Sequence, residues 1–250
     1  MSFKKKLDAA PTTTKNDDEA DWSQANLGLI APVKGARATS NVLIGTSSWN
    51  DHHPFYPPGT KPNERLAYYA SRFPIVEVNT SYYAIPARKT VEQWVERTPE
   101  HFIFDVKPPR ELTGTPDTPR GEAPEPDADT ATAFAQAIQP LVEAGRLGAV
   151  TFQFPPSYRN TEEHQEYLKL LPELLPGFPI SVEFRRRDWL DEEHADETFD
   201  LLREAGLSYT MADEPQVGSG SVPPVYAVTK PRLSIIRFHG RNAENWYDFT

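Results

Sequence analysis

The sequence contains no cysteine. Disulfides, thiolate metal sites and a cysteine nucleophile are all excluded, and the absence is compatible with a cytoplasmic location. Long apolar runs are missing too, and nothing approaches the roughly 18 residues of a membrane span. The first residues, MSFKKKLDAAPTTTKND, are basic but have no apolar stretch behind them, so they do not read as a secretory signal. Positive charge is in deficit, with 26 Lys and Arg against 36 Asp and Glu, a formal net charge of −10. Dedicated binders of nucleic acid or anionic membrane are normally basic, so neither partner is expected. No glycine-rich phosphate loop or GxSxG elbow appears. The adjacent pair His52 and His53 lacks the helical spacing of a zinc motif and reads as solvated. No metal ligand set is assigned, and the cofactor is unknown.

What is present is a two-faced pattern that recurs along the chain. Ile180–Trp189, ISVEFRRRDW, alternates apolar Val182 and Phe184 with polar Ser181, Glu183 and Arg185. In a strand these sets point to opposite faces. The same alternation marks Ile75–Asn79, Phe102–Lys107, Ala149–Phe154 and Ser234–His239. One parity carries chemistry: Glu77 and Asn79, Asp105 and Lys107, Thr151 and Gln153, Arg237 and His239. The other is greasy: Val76 and Val78, Phe104 and Val106, Phe152 and Phe154, Ile236 and Phe238. Helical patterns separate most of these strands, which predicts a parallel sheet with its greasy face under helices. An open sheet would bury the charged parity at high cost, whereas a closed barrel gathers it into one lumen.

In chain order, residues 1–40 read as a disordered N-terminal tail, with Leu27–Val33 a short patch that docks or stays loose. The domain follows over residues 41–250. Its strands are predicted at Val42–Thr46, Ile75–Asn79, Phe102–Lys107, Leu147–Phe154, Ile180–Arg185, Leu207–Met211 and Ser234–His239. Helices are predicted at Asn63–Arg72, with Asn63 as N-cap, Thr90–Arg97, Asp129–Glu143, Thr161–Leu171 and Ala195–Ala205. The Pro-rich connection over 108–127 is long for a compact domain and reads as a lid or as disorder, ordered only through Thr113.

Six motifs, IGTSSWN…FYP, EVNTSYY…P…W, FDVK, LGAVTFQFPPS, SVEFRRRDWL and RFHGRN…WY, resemble the YecE-like family, a domain-of-unknown-function family. The resemblance covers roughly residues 42–250. It implies a TIM-type parallel (β/α) barrel and supplies no reaction. It also implies a final strand carrying an asparagine pair, beyond the RFHGR motif. Here the seventh strand is followed only by the eleven residues GRNAENWYDFT. The expectation is a barrel lacking its eighth strand, open between its first and seventh strands, in a chain that is a piece of a longer protein.

Catalytic groups in such barrels sit at the C-terminal ends of strands. That rule nominates Glu183, His239, Lys107, Glu77 and Asp213 as catalytic candidates. Asn79, Tyr82, Gln153, Arg185, Trp189, Arg237, Arg241 and Trp49 are ligand-binding candidates, with the tryptophans, Tyr82 and Arg241 on the rim. Lys107, Arg185, Arg237 and Arg241 suit a phosphate or carboxylate, with Glu183 or His239 as general base or acid. The expected partner is thus a small anionic metabolite. Two alternatives stay open. A divalent-metal hydrolase or isomerase would act on a sugar or nucleotide-like substrate through Glu77, Glu183, Asp213 and His239, although neighbouring cations oppose metal binding. A non-catalytic binding protein would use the cations alone.

Overall fold

A computed structural model of the chain describes residues 42–114, 122–217 and 221–244. The predicted tail, its Leu27–Val33 patch and part of the 108–127 connection lie outside the described residues. Seven strands form one parallel sheet in sequence order: β1 (Gly45–Ser47), β2 (Ile75–Val78), β3 (Ile103–Val106), β4 (Leu147–Gln153), β5 (Ile180–Glu183), β6 (Ser208–Asp213) and β7 (Ile235–Phe238). Parallel neighbours require long crossovers, and helices supply five of them. These are α1 (Pro62–Ala70), α2 (Arg88–Glu96), α3 (Ala128–Glu143), α4 (Glu162–Leu174) and α5 (Ala195–Glu204). No helix separates β6 from β7 among the described residues.

Local chemistry explains where the helices begin. Asp127 caps α3, its Oδ1 accepting from Thr130 N at 2.8 Å. Thr161 caps α4, its Oγ1 accepting from His164 N at 3.4 Å. Helix α1 starts one residue before the predicted cap. Pro62 opens it, with no N–H to leave unsatisfied, and the Lys61 N–H donates to Glu64 Oε2 at 3.0 Å. At the first strand pair the backbones crowd together: a Cβ at Gly45 would lie 2.0 Å from the Ile75 carbonyl oxygen, so only glycine fits.

The alternation read from the sequence divides the two faces. On β2 to β5 the greasy residues Val76, Val78, Phe104, Val106, Phe152, Phe154, Val182 and Phe184 are buried. They form one core with Trp94, Phe134, Ile138, Leu141, Leu168, Leu171 and Leu202 of the helices. Burying a Phe side chain this way contributes about 1.5–3 kcal/mol. The polar parity faces the concave side. There Arg237 on β7 donates to Glu77 on β2 at 2.9 Å. Those strands are five places apart in the sheet order, about 24 Å if the sheet were flat at ~4.8 Å per strand. The contact therefore requires the sheet to curl, and the architecture is a TIM-type half-barrel with seven strands among the described residues.

The two edges differ from the middle. Neither β1 nor β7 pairs with the other among the described residues. The expectation that the greasy face lies under helices fails on β7, where Ile236 is 48% and Phe238 76% exposed. No helix follows that strand to cover its outer face within the described residues.

Candidate functional site

Strand parity and register assemble the site. Glu77 stands opposite Asp105, and Gln153 opposite Glu183, on adjacent strands. The centre is Glu183, whose side chain is 0% exposed. Its Oε1 lies 2.6 Å from Arg185 Nε and 3.3 Å from His239 Nε2, and its Oε2 accepts from Arg237 Nη1. Burial pushes this carboxyl up, but Arg237, His239 and Arg185 together outweigh it and hold the group well below the usual carboxylate range.

Arg237 ties the far side of the lumen to this centre. Its Nη1 also donates to Gln153 Oε1 at 2.9 Å, while Nη2 takes Glu77. Lys107 Nζ donates to the same Gln153 oxygen at 2.9 Å and stays 3.7 Å from Glu77 Oε1. Burial lowers the Lys107 amine from its ordinary value; Glu77 pulls it back, Arg237 opposes, and the net direction is down. On the other side, Arg185 Nη1 donates to Glu214 Oε2 at 3.1 Å and Nη2 to His239 Nε2 at 3.0 Å. Nε2 therefore faces both a donor and an acceptor: without a proton it accepts from Arg185, and carrying one it donates to Glu183.

The structure thus brings Glu77, Lys107, Gln153, Glu183, Arg185, Arg237 and His239 into one contact network drawn from strands β2 to β5 and β7. Asn79 stands beside it, its Nδ2 donating to Ser47 Oγ. Tyr82 occupies the turn after β2, edge-on to Tyr83. That turn is pinned to Lys107 by Ser81 Oγ, which donates to the Lys107 carbonyl at 2.7 Å.

Four candidates fall elsewhere. Trp189 is fully buried, stacked on Phe184 at 4.4 Å, with Nε1 donating to the Tyr158 carbonyl at 2.9 Å. It is a core residue and offers no face to a ligand. Trp49 packs edge-on against Trp94 of α2, 5.7 Å between centroids, and belongs to the helix-side packing. Asp213 is still within β6, on the parity opposite the lumen, and its carboxylate takes Arg241 at 2.8 Å. Arg241 is 75% exposed there.

Two acids outside the candidate set enter the site. Glu214, the residue after β6, regains the inner parity. Its Oε1 accepts from Val222 N at 2.8 Å, and burial pushes its carboxyl up from the ordinary value. Asp105 faces the lumen from β3, partly exposed, and burial first, then the charge of Glu77, pushes its carboxyl up to about 7. The alternation FDVK already marked Asp105 as inward; nothing in the sequence marked its lack of a cation. Among the described residues no group of three or more His, Asp or Glu side chains is arranged to hold a metal ion. Glu77, Glu183 and His239 are interleaved with Arg and Lys, a donor set poorly suited to one. A hollow at the opposite end of the sheet, lined by Gln139, Val142, Leu147, Pro176 and Phe178, carries no titratable side chain. No helix among the described residues is long and apolar enough to cross a membrane.

Comparison with known proteins agrees with the sequence motifs. The family model described as "Protein of unknown function DUF72" matches residues 43–250. The UPF0759 protein YunF of Bacillus subtilis is 37% identical over 206 residues, covering 82% of this chain and 72% of that protein. The UPF0759 protein YecE of Escherichia coli K12 is 27% identical over 221 residues, covering 80% and 74%. Among solved structures, a DUF72 family protein of Enterococcus faecalis superposes with a TM-score of 0.74 at 31% identity, covering 83% of this chain and 74% of that one. One from Thermotoga maritima gives 0.68 at 32% identity, covering 83% and 77%. With the family model spanning the whole described barrel, the chain belongs to the DUF72 family of YecE-like proteins.

Proposed function

We propose that this chain carries out general acid–base chemistry on a small anionic metabolite, phosphorylated or carboxylated, at the C-terminal ends of its strands. The observation that carries the reading is the ionic network around Glu183 and Arg237, drawn from five strands and left partly open to solvent. Buried ion pairs stabilise a fold poorly compared with apolar packing, and TIM-type interiors are filled mainly by Val, Ile and Leu. A network of this size is accounted for by a task rather than by filling.

The side chains divide the task by their electrostatics. Glu183 is a weak base, because Arg237, Arg185 and the His239 contact stabilise its ionised form; it orients Arg185, Arg237 and His239. Arg237 is enclosed by Glu77, Gln153 and Glu183, and it sets their geometry. Lys107 is the cation offered to an anion: among the described residues its amine makes one hydrogen bond, to Gln153, and Glu77 lies beyond hydrogen-bond length. His239, whose Nε2 lies between the Arg185 donor and the Glu183 acceptor, moves the proton. Arg186 and Arg187 follow β5 at the same end and add positive charge to the mouth of a chain that is acidic overall.

The test is a library of phosphorylated and carboxylated metabolites, with thermal stabilisation read as binding and product formation read by mass spectrometry. Lys107→Gln should weaken a bound anion by about 1.5–3 kcal/mol, the value of a charge-assisted contact. His239→Gln should remove turnover and leave binding in place. Stabilisation without product from any ligand would make this a sequestering protein instead. Unchanged affinity in Lys107→Gln would reject the anion site.

A further inference from the structure

Asp105 stands apart from every other acid on the concave face. Glu77, Glu183 and Glu214 each have an arginine nitrogen within 3.1 Å. Asp105 has no ion pair among the described residues, although it is opposite Glu77 in the β2–β3 register and shares its face. Arg237 and Lys107, on the same face, both turn to Glu77. On its other flank β4 offers no charge at all, only Gly148, Ala149 and Thr151.

The space beside Asp105 is shaped to fit it. A Cβ at Gly148 would lie 2.4 Å from Asp105 Oδ1, so the carboxyl occupies the volume a side chain would take. The β3–β4 ladder shifts register between Phe104 and Asp105, where this accommodation occurs. The Ala149 N–H donates to the carboxyl. The carboxyl is therefore held in place by backbone, beside the ion-paired Glu77, with no ion pair of its own among the described residues.

We infer that Asp105 and Glu77 form an acid–carboxylate pair holding one proton between them at neutral pH, with Asp105 the protonated member and the proton store of the site. The inference rests on the acid–base reading above and names the acid it needs. Two adjacent carboxylates with cations on only one of them do not both ionise; the unpaired one keeps its proton. The groups that face Asp105 are Glu77 from β2, Lys107 on its own strand and Arg237 from β7. Burial and Glu77 favour the neutral acid, and the Ala149 N–H and Arg237 oppose them without prevailing. Asp105 acts through Glu77 and is a positioning residue. Its proton passes to the Glu77 carboxylate, which then hands that same proton to the ligand, and the reverse transfer restores the pair. One proton leaves and one returns, so no further reactant enters.

The experiment is a pH titration of the full chain labelled with 13C at the aspartate carboxyls, followed by NMR. One carboxyl resonance should titrate near neutrality and be missing in Asp105→Asn. In Glu77→Gln the same resonance should titrate lower by roughly one pH unit or more, a tenfold change in proton affinity from removing the neighbouring charge. A merely structural aspartate would not respond to Glu77→Gln in this way. Titration of every aspartate in the ordinary acid range overturns the inference, as does a near-neutral resonance that survives in Asp105→Asn. The titration needs no ligand, so it separates the two ideas. Its failure leaves the metabolite reading standing, and a barren metabolite library leaves the proton store standing.

Discussion

Phe152 on β4 and Phe238 on β7 share a residue type, a strand parity and a sheet, yet one is fully buried and the other 76% exposed. The difference lies outside the strands. Helices α3 and α4 flank β4 in sequence and lie on its outer face, whereas none follows β7 among the described residues. Alternation decides which way a side chain points; the neighbouring element decides what it meets. The inner face shows the opposite balance. Arg237 on the edge strand is as firmly enclosed as Lys107 on the inner strand β3, because the curl of the sheet carries it across the lumen to Glu77.

The largest expected effect tests the covering. Phe152→Ala should cost about 3–5 kcal/mol in urea unfolding, the range for emptying a packed aromatic site. Phe238→Ala should cost much less, and Phe238→Ser should lower any self-association measured by light scattering, since an uncovered apolar edge invites it. Equal losses for the two phenylalanines would erase the distinction between middle and edge.

The inner face has its own test, of similar size. Glu183→Ala leaves Arg237 and Arg185 without their shared anion in a buried place and should cost about 3–5 kcal/mol. The pH dependence follows from sign. Glu183 has a folded-state pKa below its unfolded value of 4.5. Its stabilisation is therefore present above that value and lost as pH falls through the folded pKa. Glu183→Gln should flatten the acid limb of the stability profile. An unaltered acid limb would show that Glu183 is not held ionised by its cations.

How much of this was legible beforehand depends on which interaction decides it. The faces of β2, β3, β4, β5 and β7 follow from period-two alternation, which is local. Asp213 was read as lying past the end of a strand at Leu207–Met211. That strand continues through Asp213, so parity turns Asp213 outward and brings Glu214 in. The position of Trp189 is a tertiary matter. A 3-10 turn at Arg187–Trp189 folds the indole back onto Phe184 and Tyr158, and an aromatic after a strand carries no signal of that. The distinction between Asp105 and Glu77 was also hidden. Both are inward acids by pattern, and only the path of Arg237 across the lumen separates them.

That pair gives the next comparison in size. The Asp105 carboxyl is raised from 3.8 to about 7, the opposite direction to Glu183. A raised folded-state value means that stability is fully present below about pH 4 and declines as pH rises through about 7. Asp105→Asn, which cannot ionise, should therefore be more stable than the parent at pH 8, by about 2–3 kcal/mol after allowing for solvent in the lumen. The gap should close towards pH 4. Together with Glu183 this places the stability maximum of the parent between the two limbs. A constant gap across pH 4–8 would mean that the Asn substitution acts through packing and that Asp105 is ionised throughout.

The smallest effect belongs to the edge pair that the strand-end rule nominated. Arg241 meets Asp213 through two hydrogen bonds, Nε to Oδ1 at 3.1 Å and Nη2 to Oδ2 at 2.8 Å. Arg237 instead spreads its two terminal nitrogens over Gln153, Glu183 and Glu77, and it is enclosed; Arg241 is 75% exposed, and water competes for every one of its donors. Ion pairs in that setting are screened by salt and contribute little. Arg241→Ala should leave the urea midpoint unchanged within error in both low and high salt, while Arg237→Ala shifts it strongly at either. The comparison holds residue type constant and sets an enclosed guanidinium against a solvated one. A large, salt-dependent loss in Arg241→Ala would mean that the open edge is held together by its surface charges, and the division between an enclosed network and a solvated rim would have to be redrawn.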